Sequence, residues 1–319
     1  MGLGDWFSGL LGKSTGKPAP GKIKITAGFP VLKPLPKKKG NPLDGLTKVD
    51  LDKRFEKIGR TGQGSMSKVW RALDRRLGKY VCLKILDREK TLKFEARFQG
   101  LDKPLEGEVC IHLKHPNIVQ THEFGVSTQG EPFVVMELVD GMGLNFLIET
   151  RSKKLDGNRM KYLGQICDGI EYLHGQGYLH RDICPRNTML TNEGIIKIID
   201  FGLTIPYRPE FCRPGNRTGT PNYLAPEIIR RSATDHRVDM FALGVTAFEM
   251  FCHDMPWEST QSMQTLIGHI NSPPRNPREF APHLSDEIVK FLLKAISKDP
   301  KDRFQTPGEM RDTAKKIKE

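Results

Sequence analysis

The spacing of hydrophobic residues changes three times along the chain. Leu3, Trp6, Phe7, Leu10 and Leu11 recur at i, i+3, i+4, i+7 and i+8, which gathers them on one face of a short helix. A helix of that length is marginal in water, so it is expected to form only against a surface: the protein's own body, a partner or a membrane interface. Between residues 13 and 50 the pattern lapses into Lys, Pro and Gly, the composition of an extended tether with little to bury. From Leu51 onward, short β-branched and aromatic runs punctuated by glycine ("RFEKIGRTG", "SKVWRALD", "YVCLKIL", "PFVVMEL") predict a small, mostly antiparallel sheet with one main helix. After Gly143 the period turns helical. Tyr162, Leu163, Ile166, Ile170 and Leu173 share one side, and so do Ile288, Phe291, Leu292 and Ile296; "DMFALGVTAFEMF" is apolar nearly all round and should be buried. The expected class is α+β, a β-rich lobe joined to a larger helical one.

Composition narrows the setting. At 319 residues the chain exceeds the usual size of one domain, which suits two lobes. No apolar run approaches the roughly 20 residues needed to span a bilayer, and the N-terminus lacks the apolar core of a secretory signal, so a cytoplasmic protein is expected, with residues 3–11 able to touch a membrane surface or a partner. The six cysteines form no C-x-x-C pair, which argues against a zinc ribbon or a disulfide framework. Of the net charge of +12, residues 1–50 supply half, with nine lysines against three acids. No base-stacking platform accompanies these lysines, and no sequence-specific nucleic-acid partner is expected. Two motifs mislead: "GKST" lacks the leading glycine and the strand of a P-loop, and the opening Met-Gly lacks the Ser/Thr of a myristoylation signal.

Candidate chemistry follows in order. "GRTGQGSMSKV" puts Gly62 and Gly64 between two strand-like runs, where backbone N–H groups can approach phosphate. Lys84 ends an apolar strand and must meet an anion to offset its desolvation, with Glu106 and Glu108 as helical candidates. "HRDICPRN" offers an aspartate to receive a proton and, five residues on, an asparagine to hold a metal; "DFG" follows at 200–202 and "GTPNYLAPE" at 219–227. Taken together and in this order, these elements resemble eukaryotic-type (Hanks-type) serine/threonine protein kinases, in their compact bacterial form, over residues 51–319.

That resemblance implies a bilobal kinase fold with a tail at 1–50, an N-lobe at 51–136, a hinge at 137–143 and a C-lobe at 144–319. It implies ATP and Mg2+ as cofactors and protein Ser/Thr hydroxyls as acceptors. Gly62, Gly64, Ser65 and Val69 would cover the phosphates, although Ser67 stands where the family has a third glycine. Glu137 and Val139 would bind the adenine behind Met136 as gatekeeper. Lys84 would pair with Glu106, which lies nine residues before "HPNIV"; Asp182 would be the catalytic base; Asn187 and Asp200 would hold the metal. Asp239 and Arg303 match scaffold positions, the latter as the partner of Glu227.

One departure matters. Cys184 occupies the place of the lysine that, in the family, contacts the γ-phosphate and the residue equivalent to Thr220. Arg186 sits where tyrosine kinases carry an arginine and is expected to replace the lost charge. Arg181 precedes the catalytic aspartate and could pair with a phosphate on Thr218, with Thr220 held structurally. Two alternatives stand beside the active kinase: a nucleotide-binding scaffold without transfer, motivated by Cys184 and Ser67, and a small-molecule phosphotransferase of the aminoglycoside-kinase type, which would lack "DFG" and "GTPNYLAPE".

Overall fold

The computed structural model describes residues 41–63, 67–101, 103–215, 218–258 and 262–319. The amphipathic segment at 3–11, together with Gly64 and Ser65, lies outside the described residues. The chain enters through β1 (Lys48–Val49) and a turn of helix, α1 (Leu51–Arg54), whose first N–H groups are capped by Asp50. Then come β2 (Phe55–Gln63), β3 (Ser67–Asp74) and β4 (Lys79–Leu86). The helical stretch after β4 is split into α2 (Arg88–Glu95) and α3 (Glu106–Cys110). Gly100, at a left-handed φ of 80°, turns the chain after α2, and Pro104 disfavours helical conformation at Lys103 on the approach to α3. With β5 (Thr121–Ser127) and β6 (Pro132–Glu137), the strands form one sheet in the order β1-β5-β6-β4-β3-β2, antiparallel except for the β1–β5 pair.

Alternation along β4 divides its side chains between two cores. Val81, Leu83 and Ile85 enter a small apolar cluster with Leu51, Phe55, Ala72, Phe133 and Val135, while Cys82 and Leu86 pack toward the large core that continues into the helical body. Lys84 therefore shares the face of Cys82 and Leu86. α3 is drawn onto that face at Gly107, where a Cβ would lie 2.4 Å from Phe124 Cβ, so only glycine permits so close an approach.

The helical body begins with β7 (Gly141–Gly143) and α4 (Leu144–Glu149), followed by α5 (Arg159–Gly175), β8 (Tyr178–Leu179), β9 (Thr188–Thr191), β10 (Ile196–Ile198) and β11 (Ile205–Pro206). The short strands form the ribbons β7-β9-β10 and β8-β11, which carry the loops of the candidate site. α6 (Pro226–Ile229), α7 (Arg237–Cys252), α8 (Ser262–Asn271), α9 (Asp286–Ala295) and α10 (Pro307–Ala314) complete it. α7 runs through the centre, buried all round as its composition predicts, while α5 and α9 bury the expected stripes. No helix among the described residues is long and apolar enough to cross a membrane.

One buried ion pair ties the helices together. Arg303, 1% exposed, donates through all five N–H positions: to both Glu227 carboxylate oxygens at 2.8 Å and to the carbonyls of Arg237, Ser297 and Lys298, with its guanidinium over the Phe241 ring. Removing the cation would strand Glu227 and three carbonyls. Arg303→Met is expected to lower stability by about 3–5 kcal/mol, read as a reduced denaturation midpoint, and Arg303→Lys should recover only part because a lysine cannot reproduce the fork.

Candidate active site

The site is built around a buried charge. Lys84 Nζ lies 2.6 Å from Glu106 Oε1 and 3.0 Å from Asp200 Oδ1, with a lysine side chain only 7% exposed. Burial alone would push the ammonium toward neutrality, but Asp200 and Glu106 overcome it and hold it above the ordinary lysine range. Burial likewise opposes ionisation of Asp200; Lys84 and the Gly202 N–H, 2.9 Å from Oδ1, outweigh it and keep the carboxyl below its usual range. Glu108 faces elsewhere, its Oε2 accepting from the Leu105 N–H at the start of α3. Across the β3–β4 ladder Val69 is the register partner of Lys84, and Gly62 on β2 pairs with Val69.

Opposite this triad runs the loop from His180 to Asn187. Asp239, at the start of α7, accepts from the backbone N–H groups of His180 and Arg181 and bonds the His174 ring at 2.8 Å, fixing the loop from below. Arg181 is buried, with a left-handed φ of 71°. Asp182 emerges half-buried. Its Oδ1 accepts from both the N–H and the hydroxyl of Thr220, at 2.8 and 2.7 Å, and its Oδ2 from Asn187 Nδ2 at 2.9 Å. Thr220 reaches so far because Gly219, at φ 138°, brings the chain against the Arg181 carbonyl, where a Cβ would sit 2.8 Å away. A carboxylate accepts about four hydrogen bonds, so Oδ2 retains room for one more donor.

Cys184 is 2% exposed, and burial pushes its thiol up to about 12, so it is uncharged at neutral pH. Arg186 is exposed. Its charge is felt by Glu249, whose carboxylate accepts from the Tyr223 hydroxyl. Thr218 is half-buried on the segment after "DFG". Met136 is buried between β4 and β5, and Val139 packs at the edge of the large core. Glu137 is already engaged, its Oε1 accepting from the Gln120 N–H and Lys197 Nζ.

Sequence reasoning missed one feature altogether. Phe94 in α2 and Phe98 just beyond it form an apolar cluster with Leu179, Ile205, Tyr207, Phe211 and Cys212, so that the segment following "DFG" is held against the α2 region. The partners are too far apart in sequence for any period to reveal them.

The oxygens fit a hard divalent cation. Asp200, 41% exposed, keeps Oδ2 without a hydrogen bond to the described residues, and the Asn187 amide, oriented by its two bonds to Asp182, leaves Oδ1 open. Among the described residues no group of three or more His, Cys, Asp or Glu could hold a metal. One carboxylate with one amide oxygen suits Mg2+, which keeps waters and takes its remaining oxygens from substrate phosphates.

A family model described as "Protein kinase domain" matches residues 55–313. A "probable serine/threonine-protein kinase" of Streptomyces coelicolor is 32% identical over 81% of this chain and 39% of its own length. The serine/threonine-protein kinase pkn3 of Myxococcus xanthus is 33% identical over 76% and 46%, and PknB of Mycobacterium tuberculosis 29% over 82% and 42%. The chain thus spans less than half the length of these curated relatives. With the family model covering most of its length and bacterial serine/threonine kinases among its relatives, the chain belongs to the protein kinase domain family, as a Hanks-type member of the bacterial kind.

Proposed function

We propose that the protein transfers the γ-phosphoryl group of ATP to serine or threonine hydroxyls of proteins, with the nucleotide seated between residues 51–136 and 144–319 and its adenine against Glu137–Val139. The observation that carries this reading is the pairing of two charged arrangements across one cleft: the Lys84–Glu106–Asp200 triad, and Asp182 oriented by Asn187 and Thr220. Gly62, Gly64, Ser65 and Val69 cover the phosphates. Lys84, kept cationic by its two acids, binds and orients them. The acceptor hydroxyl donates to the open position on Asp182 Oδ2, its oxygen bonds to the γ-phosphorus as the bond to the bridging β–γ oxygen breaks, its proton passes to Asp182, and ADP leaves. Mg2+, held by Asp200 and Asn187, neutralises phosphate charge when bound.

Cys184 supplies no charge to this reaction, because its thiol is buried and neutral. The Arg186 side chain is exposed and has no hydrogen bond or ion pair to the described residues, so it is the side chain proposed to turn toward the γ-phosphate as the acceptor docks. Arg181 and Thr218 are retained as the regulatory pair, with Thr220 reserved for Asp182. The neutral Cys184 also favours a second reading, a nucleotide-binding scaffold that does not transfer.

With Mg-ATP and a general protein substrate, phosphoserine or phosphothreonine should form together with ADP; ATP-dependent thermal stabilisation without either product would favour the scaffold. Asp182→Asn should lower kcat about 10²–10⁴-fold while ATP still stabilises the protein, and unchanged turnover would remove Asp182 from its role. Arg186→Met should lower kcat about 10²–10³-fold, with Arg186→Lys recovering part; a rate equal to that of the parent would mean that no cation replaces the missing lysine.

A further inference from the structure

The segment that begins at Thr220 runs through a 3-10 turn (Pro221–Tyr223) to Leu224, and it is fastened at three places. At its start Thr220 bonds Asp182 Oδ1 through both its N–H and its hydroxyl. In its middle the Tyr223 hydroxyl donates to Glu249 of α7. The third fastening serves no part of the site described above: His269 of α8 places Nδ1 2.8 Å from the Leu224 carbonyl oxygen. A carbonyl can only accept, so the hydrogen sits on Nδ1.

The His269 side chain is 1% exposed and lies between Trp257 and Phe241, with ring centroids 4.5 and 5.5 Å away. Burial holds the imidazole down to about 4, against the pull of the Leu224 carbonyl, so the ring is neutral at physiological pH. A neutral ring with its hydrogen on Nδ1 has a bare Nε2, the reverse of the tautomer that free histidine favours. The end of α8 that carries the ring is itself pinned. A Cβ on Gly268 would lie 3.3 Å from Trp257, the Trp257 indole donates to the Ser272 carbonyl at 2.9 Å, and Arg230 and Lys298 both donate to the Ile270 carbonyl. Packing of this kind would serve the core alone if the hydrogen bond stayed inside it; here the bond leaves the core for a loop.

We propose that His269 is a positioning residue for the acceptor protein: by donating to Leu224 it fixes the far end of residues 220–224 relative to Asp182, and so sets the surface over which the acceptor chain passes. Asp182 gives the direction. Its Oδ1 is taken by Thr220 and its Oδ2 receives the acceptor hydroxyl, so the acceptor backbone lies alongside the residues that follow Thr220. With the Leu224 carbonyl released, the turn keeps its bonds to Asp182 and Glu249 but its far end must be ordered as the acceptor binds, at a cost in affinity. The Lys84–Glu106–Asp200 triad makes its contacts elsewhere, so the cost falls on the acceptor and not on the nucleotide.

The experiment compares His269→Phe, which keeps a ring without an N–H, with His269→Asn, whose Nδ2 stands near the place of Nδ1 and can donate. His269→Phe should raise KM for a protein acceptor about three- to tenfold while KM for ATP stays within about twofold. His269→Asn, although it removes the ring and lowers the denaturation midpoint, should recover most of the acceptor KM. Equal losses in the two variants, or a parallel rise in KM for ATP, would assign His269 to packing and overturn the proposal. Two further readouts need no turnover, the first of them on the unaltered protein. Nitrogen-15 NMR of the histidine-labelled full chain should find His269 protonated at Nδ1, and amide hydrogen exchange across residues 219–227 should run about threefold or more faster in His269→Phe than in the parent or in His269→Asn. An Nε2–H tautomer, or exchange that His269→Phe leaves unchanged, removes the anchor. The proposal rests on the kinase reading, and the two fail differently: a parent protein that transfers no phosphate defeats that reading and the acceptor role with it, while the tautomer and the exchange still report whether α8 holds the loop.

Discussion

The positive charge of Lys84 governs how the molecule is assembled. An ammonium removed from water must be surrounded by anions, and the two that surround it arrive from different elements: Glu106 from α3 and Asp200 from the loop after β10. Satisfying one buried cation thus fixes three parts of the chain at once, namely the central strand of the sheet, the short helix beside it and the helical body. The close seat of Gly107 on Phe124 and the backbone bond from Gly202 to Asp200 serve the same geometry. The arrangement is pre-set, so the nucleotide proposed to bind here would require little further ordering of these groups.

A second, deeper frame carries the loop that faces the lysine. Asp239 holds the backbone of His180 and Arg181, and Arg303 locks Glu227 to the turns before α7 and α10. Both frames consist of charges bound by several partners at once, and the Arg303 fork, with all five N–H positions used, makes the deeper one rigid. Asp182 projects between them with one acceptor position open. Cys184, whose side chain lies in the same interior, adds volume without charge.

The fold class was legible because α5, α7 and α9 follow their apolar periods closely and the strands alternate cleanly. The demand for an anion at Lys84 was equally visible, as a charge at the end of an apolar run. Which acid answers it was not fixed by composition, since Glu106 and Glu108 are both in the first turn of α3; packing of Gly107 decides by rotating one inward and leaving the other to cap the helix. The pair of hydrogen bonds from Thr220 to Asp182 was hidden because it depends on a left-handed glycine at 219. The aromatic cluster of Phe94, Phe98, Tyr207 and Phe211 joins stretches more than a hundred residues apart, and neither stretch carries a period that points to the other.

The cysteines have a consequence of another kind. All six are free and five are buried, and burial lifts the thiols well above their solution range, Cys82 to about 11 and Cys212 and Cys252 to about 12. Thiolates are the species that react with alkylating reagents, so in the folded protein these sulfurs are shielded both by exclusion and by protonation. Their rates of modification become clocks for local opening: Cys110 times the separation of α3 from the sheet, Cys184 the lifting of the loop around Asp182, and Cys252 the release of the central helix. One reagent can thereby rank the cooperative units of the molecule by the free energy of exposing each.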